Sequence, residues 1–309
     1  MDSFGHIFRI TDGGDTHGAS LWGEIEGCPR GLFIDENYVK SELQRRSPNE
    51  NPSSTRRRES DKVVFESGIL NGYSTGEKIR FHICNEDVKI NESNRYLIKP
   101  SHASYVYMKK YGFKDNELCG RASARQTACR VVAGAIAKLW LNERGISFTS
   151  KVISKATPKR EGDSVGALVE CTVHGLPAGL GEPVYDKFSA RLAYAMMSIN
   201  AAKSFELGAG VNAANMSGSE YHDIQNPDFS FQSNNDGGVQ AGITNGEDVY
   251  FRVAFKPIPS VRFDRETVDY NGNRCIMRGS DRNDLCVAPR VLPVVEAMAA
   301  IVTIDFMLL

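Results

Sequence analysis

The sequence predicts an α/β fold built as one domain, with long loops of the kind that form active sites. Three observations carry that prediction. Short β-branched segments bounded by glycines are interspersed with stretches of helical period. No linker divides the 309 residues into two cores, so the whole chain, 1–309, reads as a single unit. Three polar stretches, 47–60, 154–165 and 212–246, interrupt the regular pattern, and long polar loops in a compact chain are usually functional or disordered.

The strand segments are 6–10, 20–26, 62–67, 78–84, 147–153, 166–174 and 248–256. The clearest runs from Ala167 to Val173 between Gly166 and Gly175. Asp35 is a good N-cap for a helix reaching Arg46, with Val39 and Leu43 on one face. A second helix, 121–144, places Val131, Val132, Ala135, Ile136, Leu139 and Trp140 on one stripe, and Gly145 suits its C-terminal stop. A third, 186–202, aligns Phe188, Leu192, Ala195, Met196 and Ile199. The fourth, 290–309, is the longest apolar run; Glu296 and Asp305 interrupt it, so it reads as a buried helix and not a membrane span.

Composition excludes several classes. A net charge of −1 argues against a general nucleic-acid binder, though not against a local basic pocket. The seven cysteines are odd in number and form no CxxC, which argues against a disulfide framework or a zinc ribbon and for reduced thiols in a cytoplasmic protein. Met1 to His6 has neither the basic nor the apolar region of a secretory signal.

Chemically the most informative stretch is Gly120 to Arg130. A glycine leads into a helical pattern, Arg121 and Arg125 stand four apart and so share a face, and Ser123 and Thr127 bring hydroxyls to the first turns. Arg130 reaches a neighbouring face. Together with the free N–H groups and positive dipole end of a helix N-terminus, this is the construction of a phosphate site; a solvated basic helix start is the plainer alternative. In Gly13 to Gly18, His17 stands among glycines, a carboxylate and a hydroxyl that can position it and tune its proton. His102 precedes the aromatic run Tyr105, Tyr107 and Tyr111, whose plainer reading is packing. Arg45, Arg46, Arg56, Arg57 and Arg58 form a solvated face, a nucleic-acid patch or part of a site for a multiply charged small anion; no aromatic residue lies among them for base stacking. Gly208 to Ala213 formally matches GxGxxA, but no helix follows, so a dinucleotide fold is rejected. Before the last helix, Asp284 is a candidate base, and Arg282 could bind an anion or hold Asp284 ionised.

These residues fall into motifs that resemble the chorismate synthase family from near residue 4 to near 307. In order they are GDTHG (14–18), GRASARQTACRVVAGAIAK (120–138), EGDSVGALVE (161–170), GLPAGLGEPVYD (175–186), AMMSINAAKSFELGAGV (195–211), FQSN (231–234), FKP (255–257) and RNDLCV…EAM (282–298). The resemblance implies a single α/β unit with a β-α-β sandwich core, assembled as a homotetramer. It implies a lyase that converts 5-enolpyruvylshikimate 3-phosphate to chorismate and inorganic phosphate, the last step of the shikimate pathway. The reaction is a 1,4-anti elimination that needs reduced FMN without net redox change. By the same resemblance His17 protonates the leaving phosphate, and His102 acts on the reduced flavin near N1. Asp284 helps move the flavin N5 proton, aided by the hydroxyls of Thr16 and Ser123. Arg46, Arg125 and Arg130 would neutralise the substrate. Arg121, Ala122, Ser123, Asn200, Ala201, Ala241, Lys256, Pro257, Ile258, Pro259, Ser260 and Arg282 fall where the family contacts FMN. Some members reduce FMN with NADPH; with no added domain here, an external flavin reductase is the expected source. No metal, membrane or nucleic-acid partner is expected.

The chain departs from the family pattern at Asp15, Thr16, Ser47, Pro52, Asn235, Ala241, Asn283 and Leu285, and it is short around 150–160. Thr16 keeps the usual hydroxyl but stiffens the rotamer. Pro52 removes a phosphate-contact candidate. These departures motivate a second reading, a decayed relative that binds flavin without turnover. The retention of His17, His102, Ser123, Arg125 and Asp284 opposes it, because a binder would not need both histidines.

Overall fold

The structure, a computed structural model, describes residues 2–48, 54–89 and 92–309. Pro52 therefore lies outside the described residues. Two antiparallel sheets flank a layer of helices. The first comprises β1 (Ser3–Phe4), β2 (Arg9–Gly14), β3 (Ser20–Glu26), β4 (Val63–Ser67) and β5 (Ile79–Cys84), in the order β1-β2-β3-β5-β4. The second comprises β6 (Ser147–Lys155), β7 (Ala167–His174), β8 (Ala202–Leu207) and β9 (Val249–Phe255), in the order β8-β9-β7-β6. Between them lie α1 (Glu36–Arg46), α3 (Thr127–Asn142), α4 (Phe188–Met197) and α5 (Leu292–Leu308). α3 packs on β2 and β3, α5 on β6 and β7, and the two helices on each other, giving a β-α-β sandwich.

The sequence dictates this layering. β7 and β9 alternate buried with half-buried residues, as strands with one face on a core do. α5 is buried on every side from Pro293 to Phe306, which is why its sequence is apolar all round. Where α3 crosses α5, a Cβ on Gly134 would fall 2.4 Å from the Ala297 Cα, so only glycine permits the approach.

The differences from the sequence expectations have local causes. The first long strand is Arg9–Gly14, not 6–10, because the Asp305 carboxylate accepts the backbone N–H groups of His6, Ile7 and Phe8 and takes them out of the ladder. The helix expected from 121 begins at Thr127; 3-10 turns at Asn116–Ala122 and Ala124–Gln126 precede it, and the extended backbone of Ser123 separates them. The tyrosine run forms α2 (Ser104–Tyr111), where Tyr107, Tyr111 and Phe113 pack ring against ring. A hairpin of Arg265–Val268 with Arg274–Met277 was not expected from the pattern. The seven cysteines are free, and among the described residues no helix is long and apolar enough to cross a membrane.

One charged cluster sits inside the helical layer. Lys138 Nζ donates to Glu42 Oε2 and Glu296 Oε2, both at 2.6 Å, and Arg45 reaches both carboxylates. Burial alone would raise the Glu296 carboxyl, but Arg45 and Lys138 outweigh it and hold it at about 2. Replacing Glu296 by alanine leaves Arg45 and the buried Lys138 to share the single carboxylate of Glu42, and the expected loss is about 3 kcal/mol in denaturant unfolding. A loss below about 1 kcal/mol, the value of a surface ion pair, would mean that the cluster is effectively solvated.

Candidate active site

A cavity of about 490 Å³ opens where the end of α1, the 54–59 segment, the turns before α3, the start of α2, the 256–261 loop and the approach to α5 converge. Thr16, His17, Arg46, His102, Ala122, Ser123, Arg125, Asn200, Ala201, Lys256, Ile258, Pro259, Ser260, Arg282 and Asp284 all line it. Arg121, Arg130, Pro257 and Ala241 do not. Arg121 pairs with Asp2 and Asp12; Arg130 donates to the Ser198 carbonyl and hydroxyl. The face shared by Arg121 and Arg125 is thus absent: both residues belong to 3-10 turns, whose residues four apart do not stack, and their side chains diverge. Ala241 sits at the tip of the Val239–Thr244 hairpin, with φ 53°.

His17 is set by its own loop. Its N–H donates to Asp15 Oδ1 at 2.8 Å, and Asn85 Nδ2 donates to the carbonyls of Asp15 and Gly18. The Asp15 carboxylate occupies the space a side chain at 120 would need: a Cβ there would lie 1.8 Å from Oδ1, so position 120 must be glycine. The His17 ring then places Nδ1 2.9 Å from Glu117 Oε2, a charge contact off the line of a hydrogen bond.

The arginine wall adjoins this loop, through Arg57 on Thr16 and Arg125 on Asn85. Arg46 Nη2 donates to Asp61 Oδ2 at 2.7 Å, and Arg125 Nη1 contacts Asp61 Oδ1. Arg125 also donates to Asn85 Oδ1 at 3.0 Å and to the Cys84 carbonyl at 3.3 Å. Arg57 bonds Glu59 and the Thr16 hydroxyl. Asp284 accepts from the Thr55 N–H at 2.9 Å and pairs with Arg290 Nη1, while Arg282 pairs with Asp87. Arg290, and not Arg282, is therefore the cation on Asp284. Burial pushes the Arg290 guanidinium down, with the Asp284 charge opposing. Among the described residues neither expected hydroxyl bonds Asp284: Thr16 Oγ1 takes Arg57 at 2.7 Å, and Ser123 Oγ accepts from the Arg125 N–H at 3.3 Å.

His102 faces the third side. Lys256 Nζ donates to the Ser101 carbonyl at 2.6 Å, fixing the turn before α2. Burial, with the Lys99 and Lys256 charges, pushes the imidazole down to about 4, so it is neutral near pH 7. The sign follows from linkage: between pH 6.5 and about 4 the unfolded chain binds a proton at this histidine and the folded chain does not. Stability therefore falls as pH drops through that window, by up to ~3 kcal/mol from this group. His102→Gln should flatten the fall in denaturant midpoints measured from pH 6.5 to 4.5; an unchanged slope would mean that the imidazole protonates freely in the fold.

Sequence reasoning missed Asp61, Glu117 and Arg290. Asp61 and Glu117 act through partners distant in the chain, and Arg290 stands six residues from Asp284, a spacing that neither helix nor strand geometry marks. Of the departures from the family pattern, Asn283 lines the cavity, Ser47 donates to Asp61 Oδ2 at 3.1 Å, and Asn235 is bound to Tyr221 and Asp223 elsewhere.

Comparison with known proteins agrees with this architecture. The chain matches the chorismate synthase family over residues 8–158 and 153–308. It is 42% identical to the chorismate synthase of Bacteroides fragilis strain YCH46 over 351 aligned positions, covering 100% of this chain and 98% of that protein. It is 43% identical to the chorismate synthase of Flavobacterium psychrophilum, covering 100% and 97%. A crystal structure of chorismate synthase superposes with a TM-score of 0.77 at 28% identity, over 99% of this chain and 93% of that one. The family match divides at 153–158, where β6 gives way to the connector into β7; the short 150–160 region is a local truncation there. By sequence along its whole length and by fold, this chain belongs to the chorismate synthase family.

Proposed function

We infer that the chain is a carbon–oxygen lyase acting on 5-enolpyruvylshikimate 3-phosphate, releasing chorismate and inorganic phosphate by 1,4-anti elimination with reduced FMN. The observation that carries this reading is the convergence of His17, His102, Asp284, Arg46 and Arg125 on one cavity. A polyanionic substrate needs cations in a partly desolvated wall, and such a wall is what these arginines supply.

The residues fit a flavin. The volume is that of a cofactor-sized pocket. Ala122, Ala201, Ile258 and Pro259 offer apolar surface, Asn200 and Ser260 offer hydrogen bonds, and Lys256 offers a cation for a phosphate. Among the described residues the buried His102 Nδ1 has no hydrogen-bond partner, so a polar atom of a bound group would satisfy it. Reduced FMN, when bound, supplies electron density transiently to the substrate, with no net redox change.

The remaining steps belong to the chain's own residues. Arg46 and Arg125 hold the substrate's anionic groups. His17, held beside the Glu117 carboxylate, delivers a proton to the departing phosphate. Asp284 helps move the proton that the elimination releases, with Arg290 Nη1 and the Thr55 N–H orienting its carboxylate. His102, neutral when the cavity holds no anion, gains a proton more readily beside a negative cofactor. The homotetramer, an external flavin reductase and a cytoplasmic location belong to the same reading. Identifying the product tests it: incubation with substrate and reduced FMN should yield chorismate by absorbance and mass, and an unconverted substrate with an active control enzyme in parallel would reject the assignment.

A further inference from the structure

We propose that Asp61 is a positioning residue that aims the Arg46 guanidinium into the cavity for an anionic group of the substrate. The proposal rests on the lyase reading above. Asp61 is 4% exposed and does not itself line the cavity; it stands behind two arginines that do. Its carboxylate takes Arg46 Nη2 on one oxygen and Arg125 Nη1 on the other, and Ser47 Oγ donates to the Arg46 side. Burial alone would raise its carboxyl, but the Arg46 and Arg125 charges outweigh it and keep it below its ordinary range. One buried carboxylate thus lets two like charges share a wall that they could not otherwise share. The backbone at Asp61 is left-handed, with φ 51°, an uncommon conformation for a side-chain-bearing residue and one that aspartate tolerates better than most.

The two arginines depend on it unequally. Arg125 has Asn85, the Cys84 carbonyl and, at 3.7 Å, the buried Glu59 carboxylate besides. For Arg46, itself 4% exposed, Asp61 is the carboxylate partner, and among the described residues its Nε has no hydrogen-bond acceptor. That atom is closed off from the cavity, so Arg46 has no second anchor on Nε, and its aim depends on the Nη2 contact with Asp61. Asp61 thereby sets the direction in which the Arg46 guanidinium meets the cavity.

The test is a double-mutant cycle on substrate affinity. Equilibrium binding of 5-enolpyruvylshikimate 3-phosphate would be measured to the enzyme loaded with oxidised FMN, for wild type, Asp61→Asn, Arg46→Gln and the double variant. The expected result is a Kd raised about tenfold or more by Asp61→Asn alone, and by less than about threefold once Arg46 is already gone. FMN affinity should be unchanged in all four. An unchanged substrate Kd in Asp61→Asn, or a full effect persisting without Arg46, would overturn the proposal, because a general loss of structure does not depend on Arg46. If Asp61→Asn fails to fold, Asp61→Glu keeps the charge but shifts its oxygens, and the same cycle is read with it against the same two outcomes. Failure of the lyase reading is distinct: the wild type itself would then not bind or convert the substrate.

Discussion

Replacing Asp284 by asparagine should lower turnover by about 100- to 10,000-fold, the range expected when a positioned proton acceptor is removed. The shape of the side chain is kept, so the change is chemical. Asp284 receives donors on two sides, the Thr55 N–H at 2.9 Å with the Ser54 hydroxyl at 3.5 Å on Oδ1, and Arg290 Nη1 on Oδ2. An amide can offer its oxygen to one of them only, and its NH2 must face the other. Its neutral form also leaves Arg290 without its counter-charge in a nearly dry wall, so a smaller rise in substrate KM should accompany the fall in kcat. FMN affinity should stay near that of wild type, because Asp284 bonds none of the residues offered to the flavin and the substitution keeps its shape. Single-turnover kinetics with enzyme in excess would separate chemistry from binding; a wild-type rate would remove Asp284 from proton transfer.

The second large effect is expected at His17. Alanine there removes the imidazole that donates the proton and should slow phosphate release by about 100-fold or more. The fold should tolerate the change, since the loop is held by backbone bonds from Asp15 and Asn85 and not by the imidazole. Glu117→Gln should slow release less, because it removes the charge beside the ring and leaves the ring itself. Equal defects in the two variants would place the proton donor elsewhere, and an unchanged rate in His17→Ala would do so outright.

How legible the molecule was depends on how local each feature is. The strands 20–26, 166–174 and 248–256 and the buried final helix were plain because burial leaves a periodic trace in adjacent residues. The first strand was misplaced because Asp305, at the far end of the chain, captures the N–H groups of residues 6–8. The arginine site was half legible. Arg125, singled out in the sequence as an anion-binding candidate, lines the cavity, but the α-helical spacing that made Arg121 its neighbour fails in 3-10 turns. Asp61 was invisible, since a carboxylate 15 residues from Arg46 and 64 from Arg125 leaves no spacing signature, and Arg290 because a pair six residues apart follows neither helical nor strand period. The resemblance to a family supplied reaction and cofactor; the cavity supplied which partner holds each group.

The most direct test of the central claim is anaerobic phosphate release from 5-enolpyruvylshikimate 3-phosphate with chemically reduced FMN, with and without the flavin. The account predicts phosphate release that requires reduced flavin and matches chorismate formed one for one. Absence of release in the presence of bound reduced flavin would contradict it and leave the chain a flavin-binding relative without turnover.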